Sequence, residues 1–260
     1  MGTISAIIMG GLGNIMFQVA NGYSVSIDNE MEFVVDVSNY HGGKYGYGKY
    51  KNNIFNKINF ESNVKNDICY GEGCFNYQEI PKFSSDTKLI GYFQSEKYFV
   101  KNRKKILSLY KPKKDIINKL QNLYGEILKL ETCSIHVRRG DYLHLQSYYH
   151  PLDIEYYKNA SKLLPQNTFF LIFSDGLDWC KENFDFLENK IFVDNLDDFE
   201  EIYLMSLCKN NIISNSTFGW WGAWLNKNKN QKVIAPSKWF GPSYSSYNTE
   251  DIYCKKWIKI

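Results

Sequence analysis

The chain has 260 residues, of which 44% are hydrophobic and 17% aromatic, and its formal net charge is +3. This length fits one large domain or two domains of about 130 residues, and the apolar content argues against a disordered chain. So mild a charge does not indicate a nucleic-acid-binding protein. No run approaches the ~18 consecutive apolar residues of a membrane span.

The N-terminus and the cysteines predict a cytoplasmic protein. Met1 is followed almost directly by an apolar run, without the basic start of a signal peptide. The six cysteines are widely spaced and form no C-x-x-C pair, so we expect reduced thiols and no zinc site. Residues 101–105 form a dense basic run, for which a solvated helix face is the preferred explanation. Peripheral contact of this run with the inner membrane is left open.

In chain order, an apolar run of strand length at 4–9 precedes the sequence G-G-L-G-N at 10–14. Apolar residues then recur at helical spacing up to Ile27, which predicts a strand, a glycine-rich turn and a helix. Such a turn can direct backbone N–H groups at an anion, although a turn that only packs a helix on a strand has the same pattern. The glycines at 10, 11 and 13 do not match the G-x-G-x-x-G dinucleotide fingerprint.

A second strand is predicted at 32–37, after which residues 39–75 lose all periodicity and predict a long irregular loop region. A strand at 88–93 follows. Gln94 and Ser95 are predicted to begin a helix that ends before Pro112.

Asp115 is predicted to cap the next helix. The polar, Lys-rich segment 111–129 predicts the boundary between two halves. We expect an N-terminal half-domain at 1–130 and a C-terminal half-domain at 131–260.

The C-terminal half alternates between strand-like and helical patterns. Apolar strand-length runs occur at 133–137, 169–173, 190–193, 211–214 and 232–235, and helical patterns at 154–164, 178–187, 199–207 and 217–225. This alternation predicts βαβ units and a parallel sheet.

Polar residues follow each of these strands. Ligands of open parallel sheets bind beyond the carboxyl ends of the strands, so we expect the groups after them to line one edge: Arg138, Arg139 and Asp141; Ser174 and Asp175; Asp194 and Asn195; Asn215, Ser216 and Thr217; Pro236 and Ser237. Asp, Asn and Ser also serve as helix caps. Arginines do not, and a guanidinium binds phosphate oxygens in bidentate fashion.

The pattern therefore predicts an anion site at this edge, although R-R-G-D alone also fits a solvated surface turn. Asn215, Ser216 and Thr217 open a predicted helix whose N–H groups could hold a phosphate. Phe218 could face a nucleobase, and the Asp175 carboxylate could accept hydrogen bonds from guanine. The tryptophans at 220, 221 and 224 are expected in the core.

Other catalytic chemistries lack their motifs. The sequence has no Asp-x-Asp tripeptide for a metal-bound sugar diphosphate, no Walker lysine loop, no H-E-x-x-H and no G-x-S-x-G. Without a metal, arginine and backbone dipoles would have to stabilise the charge of a leaving group.

Four motifs together resemble the bacterial α-1,2-fucosyltransferases of glycosyltransferase family 11. They are G-G-L-G-N at 10–14, G-Y-F-Q-S-E-K-Y-F at 91–99, H-V-R-R-G-D-Y at 136–142 and S-N-S-T-F-G-W-W-G-A-W-L at 214–225. The resemblance implies an α/β protein with the GT-B fold, in which two Rossmann-like half-domains face each other across a cleft.

The resemblance also implies a metal-independent, inverting transfer of L-fucose from GDP-β-L-fucose to the 2-hydroxyl of a galactose-terminated glycan, as in the synthesis of O-antigens and other surface glycans. No cofactor is implied. By this resemblance, Arg138 corresponds to the arginine that holds the donor β-phosphate. The predicted catalytic residues are Arg138 and Asp141. The residues implied to bind the donor are Gly11, Gly13, Asn14, His136, Arg138, Arg139, Asp175, Asn215, Ser216, Thr217 and Phe218.

Two positions depart from related enzymes. Ile15 stands where the family usually has Gln, and Gln146 lies near the place where α-1,6-fucosyltransferases carry a catalytic carboxylate. Asp141 is the first candidate for the general base and could equally be a structural partner of Arg138 or Arg139. His144 and His150 are weaker candidates.

Two alternatives remain open at this point. One is a GDP-fucose-dependent transferase of another linkage or acceptor, because the donor motifs do not identify the acceptor. The other is a non-catalytic sugar- or nucleotide-binding protein, for which the 20 Tyr and 6 Trp would provide stacking surfaces.

Overall fold

The computed structural model describes residues 2–38, 40 and 47–260, which form two compact units. The first unit comprises Met1–Pro112 and Tyr247–Cys254, and the second comprises Lys113–Ser246 and Lys255–Ile260. Each unit contains a parallel β-sheet. The expected α/β class with two Rossmann-like halves is therefore confirmed.

The first unit consists of parallel strands connected by helices and loops, and the glycine-rich turn connects its first strand to its first helix. Its elements are β1 (Thr3–Ile7), α1 (Leu12–Asn29), β2 (Glu32–Asp36), α2 (Gly48–Lys51), β3 (Phe60–Glu61), β4 (Ile68–Gly71), β5 (Thr87–Ile90) and α3 (Arg103–Leu109). Among the described residues, the strand order is β3-β2-β1-β5-β4. The carboxyl ends of β1 and β5 are therefore neighbours, and the chain leaves β1 through the glycine turn.

The second unit has the complete Rossmann strand order. Its elements are α4 (Lys114–Leu128), β6 (Thr132–Val137), α5 (Ile154–Ser161), β7 (Phe169–Ser174), α6 (Leu177–Asn183), β8 (Lys190–Phe192), α7 (Asp198–Leu207), β9 (Asn210–Ile212), α8 (Thr217–Leu225), β10 (Val233–Ala235) and β11 (Ile258–Lys259). The sheet order β8-β7-β6-β9-β10-β11 is the 3-2-1-4-5-6 order of dinucleotide-binding folds.

Strand β6 is buried along its whole length, because other elements pack against both of its faces. Ile135 packs with Tyr157 of α5 and with Phe184, which directly follows α6, in one apolar cluster. His136, whose side chain points to the opposite face, lies against Phe218 and Gly219 of α8. The two layers fix the position of the carboxyl end of β6.

The division between the units differs from the boundary expected at 130/131. The second unit begins at Lys113, so that α4 belongs to it. The reason is that α4 packs against α7, where the Lys119 ammonium lies 2.7 Å from a carboxylate oxygen of Glu200. The segment Tyr247–Cys254, assigned from sequence to the C-terminal half, belongs to the first unit.

The prediction of an irregular 39–75 region was wrong for part of that segment. Helix α2 and strands β3 and β4 lie within it, and β3 extends the sheet by pairing Phe60 with Val35. Residues 39 and 41–46 lie outside the described residues.

Two helix predictions also need correction. The segment after Gln94 forms two 3₁₀ turns, Glu96–Tyr98 and Val100–Asn102, before α3 begins. The break lies at Phe99, which is fully buried and has non-helical φ/ψ of −140° and 0°. Asp115 does not cap α4: the cap position is Lys113, and Asp115 lies in the first turn.

Candidate functional site

The carboxyl edge of the second sheet brings together the polar residues that the sequence predicts to meet there. Arg138 and Arg139 follow β6, Asp175 follows its neighbour β7, and Ser216 follows β9 on the other side. From β6 the chain adds β7 and β8 on one side of the sheet and then crosses over to β9 on the other side. In open α/β sheets, such a reversal point is the usual ligand crevice.

Arg138 lies between two carboxylates. Its Nη2 is 2.6 Å from Oδ1 of Asp141, and its Nη1 is 3.0 Å from Oδ2 of Asp175. Burial acts to lower the pKa of Arg138, but the charges of Asp175 and Asp141 prevail and raise it. The guanidinium is therefore a fixed positive charge, and its side chain is still 30% exposed.

Asp175 also holds the backbone of the arginine turn. Its Oδ1 accepts a hydrogen bond from the N–H of Arg139 at 2.8 Å, while its Oδ2 contacts Arg138. Both carboxylate oxygens thus contact the arginine turn, whereas the sequence predicts that this carboxylate accepts hydrogen bonds from guanine. The guanine contact stays a prediction.

Arg139 has a different partner from Arg138. Its guanidinium carbon lies 3.8 Å from the centroid of the Trp179 ring, in a cation–π stack. The stack borders a cavity of about 610 Å³, whose lining includes Gln146, His150 and Asp153. A volume of this size is in the range of small-molecule sites.

His136 is buried and neutral at physiological pH. Burial, and then the charge of Arg138, lower the pKa of His136 to about 3. Its Nδ1 lies 2.8 Å from Oγ of Ser214, and its ring centroid lies 5.2 Å from that of Phe218. This neutral ring links β6 to the segment that follows β9.

The N-terminus of α8 provides a second positive feature. Ser216 is the cap residue, and its Oγ accepts the N–H of Phe218 at 3.4 Å. The first turn contains no acidic residue. Thr217 and Phe218 are half-buried. A helix start of this kind favours a negatively charged ligand.

Asn215 has a structural role that sequence reasoning missed. Its side chain is buried, and its Nδ2 donates to the carbonyl oxygens of His150 at 3.0 Å and Trp239 at 2.8 Å. The hydroxyl of Tyr142 donates to the Asn215 carbonyl oxygen at 3.0 Å. Asn215 therefore ties together the loops behind the site, and no local sequence pattern predicts these partners.

The glycine-rich turn of the first unit lies at the carboxyl end of β1. Gly10 has a φ of +79°, and Gly11 is the cap of α1 without a side-chain hydrogen bond at this end of the helix. Gly13 and Asn14 lie in the first turn of α1, and Oδ1 of Asn14 accepts a hydrogen bond from Nε2 of Gln94 at 3.0 Å. Gln94 belongs to the motif at 91–99, but no local sequence pattern indicates this contact.

The remaining candidates take clear positions. Ile15 is fully buried, so the residue that replaces the family's Gln packs in the core. The tryptophans 220, 221 and 224 are buried, as expected. His144 is exposed on the turn after Asp141.

Two further findings concern metals and membranes. Among the described residues, no group of three or more His, Cys, Asp and Glu side chains is arranged to hold a metal ion. No helix in the described ranges 2–38 and 47–260 combines the length and the apolar character needed to cross a membrane.

Comparison with family models and with known sequences identifies related glycosyltransferases. The family model for glycosyl transferase family 11 matches residues 72–260. The Alpha-1,2-colitosyltransferase of Escherichia coli is 30% identical over 100% of this chain and 99% of its own length. The O-antigen biosynthesis glycosyltransferase WbnK of Escherichia coli is 34% identical over 66% of this chain and 60% of its own length.

Among solved structures, the fucosyltransferase NodZ from Bradyrhizobium aligns with a TM-score of 0.58 and 12% identity, over 86% of this chain and 93% of its own. At this identity the likeness concerns the fold alone, which is that of GT-B fucosyltransferases. The sequence matches carry the classification, since the family model spans well over half of the residues and one relative aligns end to end. The chain belongs to glycosyl transferase family 11.

Proposed function

We propose that this glycosyltransferase transfers L-fucose from GDP-β-L-fucose to the 2-hydroxyl of a terminal galactoside, with inversion and without a metal ion. The observation that carries the proposal is the Arg138 guanidinium at the carboxyl end of β6. This guanidinium is held by Asp141 and Asp175 and is partly exposed. It follows β6, and the strand order along the sheet reverses between β6 and its neighbour β9.

Arg138 and the start of α8 suit a nucleoside diphosphate. The guanidinium can bind two phosphate oxygens, and the N–H groups of the first turn of α8 favour an anion. The interactions of both groups with the diphosphate become stronger as GDP leaves, because the leaving oxygen gains negative charge. A crystal structure of the NodZ α-1,6-fucosyltransferase, which has the same fold, was soaked with GDP-fucose.

The proposed reaction is a single displacement at the anomeric carbon. The acceptor oxygen forms a bond to C1 of fucose while the bond from C1 to the β-phosphate oxygen breaks, and GDP leaves with the electron pair. The hydroxyl proton passes to a base or to water. Attack from the face opposite the leaving group converts the β-linked donor into an α-linked product.

Asp141 acts in this proposal through Arg138. Its carboxylate is 2.6 Å from the guanidinium and is half-exposed, so it orients the group that binds the diphosphate. Because Oδ1 is the oxygen in contact with Arg138, an acceptor proton would go to the other oxygen, Oδ2. His136 is a poor alternative base, since its pKa is lowered to about 3 by burial and by Arg138.

The 2-linkage rests on the resemblance of the four motifs and on the name of the Alpha-1,2-colitosyltransferase. That relative also favours a second candidate, the transfer of colitose. Colitose is 3-deoxy-L-fucose, so the two donors would differ by one hydroxyl. The synthesis of O-antigen or a similar surface glycan is the proposed context, supported by the relative WbnK.

The test measures GDP release by the purified protein from GDP-fucose and from GDP-colitose, with EDTA, with and without lactose. Arg138→Ala is the site variant. Arg103→Ala is the matched control, since Arg103 begins α3 and lies 3.9 Å from its partner Glu96.

We expect lactose-dependent release from GDP-fucose that survives EDTA, is retained in Arg103→Ala and is lost in Arg138→Ala. Faster turnover of GDP-colitose would identify colitose as the donor sugar. Binding of GDP-fucose without release for any galactoside would favour the non-catalytic alternative. Absence of binding to either donor would disprove the proposal.

A further inference from the structure

Tyr142 contacts Arg138 and also the segment that leads into α8. Its ring centroid lies 5.4 Å from the guanidinium carbon of Arg138, within the range of a cation–π contact. Its hydroxyl donates to the carbonyl oxygen of Asn215 at 3.0 Å, and Asn215 directly precedes Ser216, the cap residue of α8. All four residues belong to the second unit. One side chain therefore connects the two features that suit a diphosphate.

The ring of Tyr142 has a fixed position. It is 8% exposed, and the ring of Tyr149 stacks on it with the centroids 4.3 Å and the planes 7° apart. Tyr149 forms an antiparallel bridge with Phe240, and the N–H of Gly241 donates to the carbonyl oxygen of Tyr148 at 2.8 Å. These contacts fasten the loop after β6 to the loop after β10.

The hydroxyl of Tyr142 acts as a donor. Burial raises the pKa of Tyr142 above its usual range, although the charge of Arg138 opposes this shift. The hydroxyl therefore stays protonated at physiological pH, and its proton is directed at the Asn215 carbonyl.

This hydrogen bond also fixes the direction of a backbone N–H. The peptide bond between Asn215 and Ser216 is trans, so its C=O and its N–H point in opposite directions. Ser216 is 7% exposed, and its N–H has no hydrogen-bond acceptor within the described ranges of the chain. Such N–H groups are rare in buried backbone. An N–H at the start of a helix suits an oxygen of an anionic ligand.

We propose that Tyr142 is a positioning residue for the diphosphate of the donor: its ring orients the guanidinium of Arg138, and its hydroxyl orients the N–H of Ser216. Both donors are thereby set before the ligand binds, which reduces the entropy lost on binding. The diphosphate as ligand rests on the proposed function. The role of Tyr142 is additional to it.

GMP and GDP are the probes of the test, because they differ by the β-phosphate alone. Calorimetry on the full chain gives both dissociation constants, and their ratio measures what the β-phosphate contributes to binding. Tyr142→Phe keeps the ring and removes the donor to Asn215. We expect the preference for GDP over GMP to fall at least about fivefold, the scale of one impaired hydrogen bond to a charged group.

Tyr156→Phe is the matched control. The Tyr156 hydroxyl also donates to backbone carbonyl oxygens, those of Ile213 at 2.6 Å and Ile234 at 3.2 Å. Both variants should lower the urea midpoint, but Tyr156→Phe should leave the preference for GDP unchanged. An unchanged preference in Tyr142→Phe, or equal losses of preference in the two variants, would overturn the proposal. So would an equal weakening of GMP and GDP in Tyr142→Phe, which is the result for a merely structural tyrosine.

An NMR readout separates this proposal from the proposed function. The Nε–Hε signal of Arg138 is identified by its absence in Arg138→Lys. Tyr142→Leu removes the aromatic ring and should shift this signal more than Tyr142→Phe does, whether or not a nucleotide binds. Equal positions of the signal in wild type and a folded Tyr142→Leu would refute the contact with Arg138. A wild-type protein that binds neither nucleotide, but shows the shift, would count against the proposed function alone.

Discussion

Gly140 and Asp175 approach so closely that no side chain fits between them: a Cβ on residue 140 would lie 2.4 Å from Oδ2 of Asp175. That same oxygen contacts Nη1 of Arg138. The glycine of the R-R-G-D turn is therefore required for the carboxylate to reach the arginine.

Gly140→Ala should disconnect Asp175 from Arg138. We expect kcat/KM to fall about 10²-fold, the scale of a displacement of about 1 Å at a binding group. The unfolding free energy should change by less than about 1 kcal/mol, because the ion pair is partly exposed and contributes little. Steady-state kinetics and urea unfolding measure the two effects.

Gly48→Ala is the matched control for this substitution, since a Cβ there meets nothing within 4 Å. It should leave both quantities unchanged. Equal losses in the two alanine variants would contradict the specific role of Gly140.

Arg138→Lys tests whether charge alone suffices. Lysine keeps the positive charge but has a single nitrogen, which cannot contact Asp141, Asp175 and a phosphate in the geometry of the guanidinium. We expect a loss of kcat/KM of at least about 10²-fold and weaker GDP binding by calorimetry. Retention of near wild-type turnover would show that a point charge is enough.

Asp141→Asn distinguishes a base from an orienting partner. Asparagine keeps an oxygen acceptor for Arg138 but cannot take a proton at neutral pH. The 2.6 Å contact with Arg138 leads us to expect a loss of kcat of less than about tenfold and an unchanged pH profile. A loss of about 10²-fold or more, with removal of the acidic limb of the profile, would identify Asp141 as the base.

His136 predicts an acid-sensitive stability. Its pKa is about 3 in the folded protein, against 6.5 when unperturbed, so between these values the unfolded chain binds the extra proton. The unfolding free energy should therefore fall as pH drops from 6.5 toward 3, by up to about 1.4 kcal/mol per pH unit from this group. His136→Gln should lack this component in urea titrations at several pH values; parallel curves for the two proteins would refute it.

Asn215→Asp should damage stability rather than ligand binding alone. The substitution removes the donor that serves the carbonyls of His150 and Trp239 and places a carboxylate against them. We expect a decrease in the unfolding free energy of about 2 kcal/mol or more. Asn167→Asp, at an exposed position, is the control; similar urea midpoints for both variants would contradict the structural role.

The inner strands of the second sheet, β6, β7, β9 and β10, could be predicted from sequence because they are largely buried and form short apolar runs. The edge strand β11 has two exposed residues and was not predicted. The run predicted at 133–137 differs from β6 by one residue. The order of the strands in the sheet cannot be predicted from local sequence patterns. The contacts between residues at the strand ends depend on that order, so they could not be predicted either. Asp175 meets the N–H of Arg139, 36 residues away, and His136 meets Ser214, 78 residues away.

The first sheet was less predictable for a physical reason. β3 has two residues and β4 is largely exposed, so neither shows the alternation or the apolar run that identifies a strand. Phe99 shows a different limit of prediction from sequence, because an apolar residue at helical spacing need not belong to a helix. Its apolar side chain fits the helical spacing of its neighbours, yet the fully buried residue has a non-helical backbone, which no local propensity indicates.

The segment Tyr247–Cys254 has a consequence for biosynthesis. It belongs to the first unit, where Oδ2 of Asp251 accepts the N–H of Tyr77 at 2.8 Å and Ile252 is fully buried. A ribosome must therefore translate almost the whole second unit before the first can be completed. The first unit emerges early and finishes folding late, unlike domains that fold one after another during synthesis.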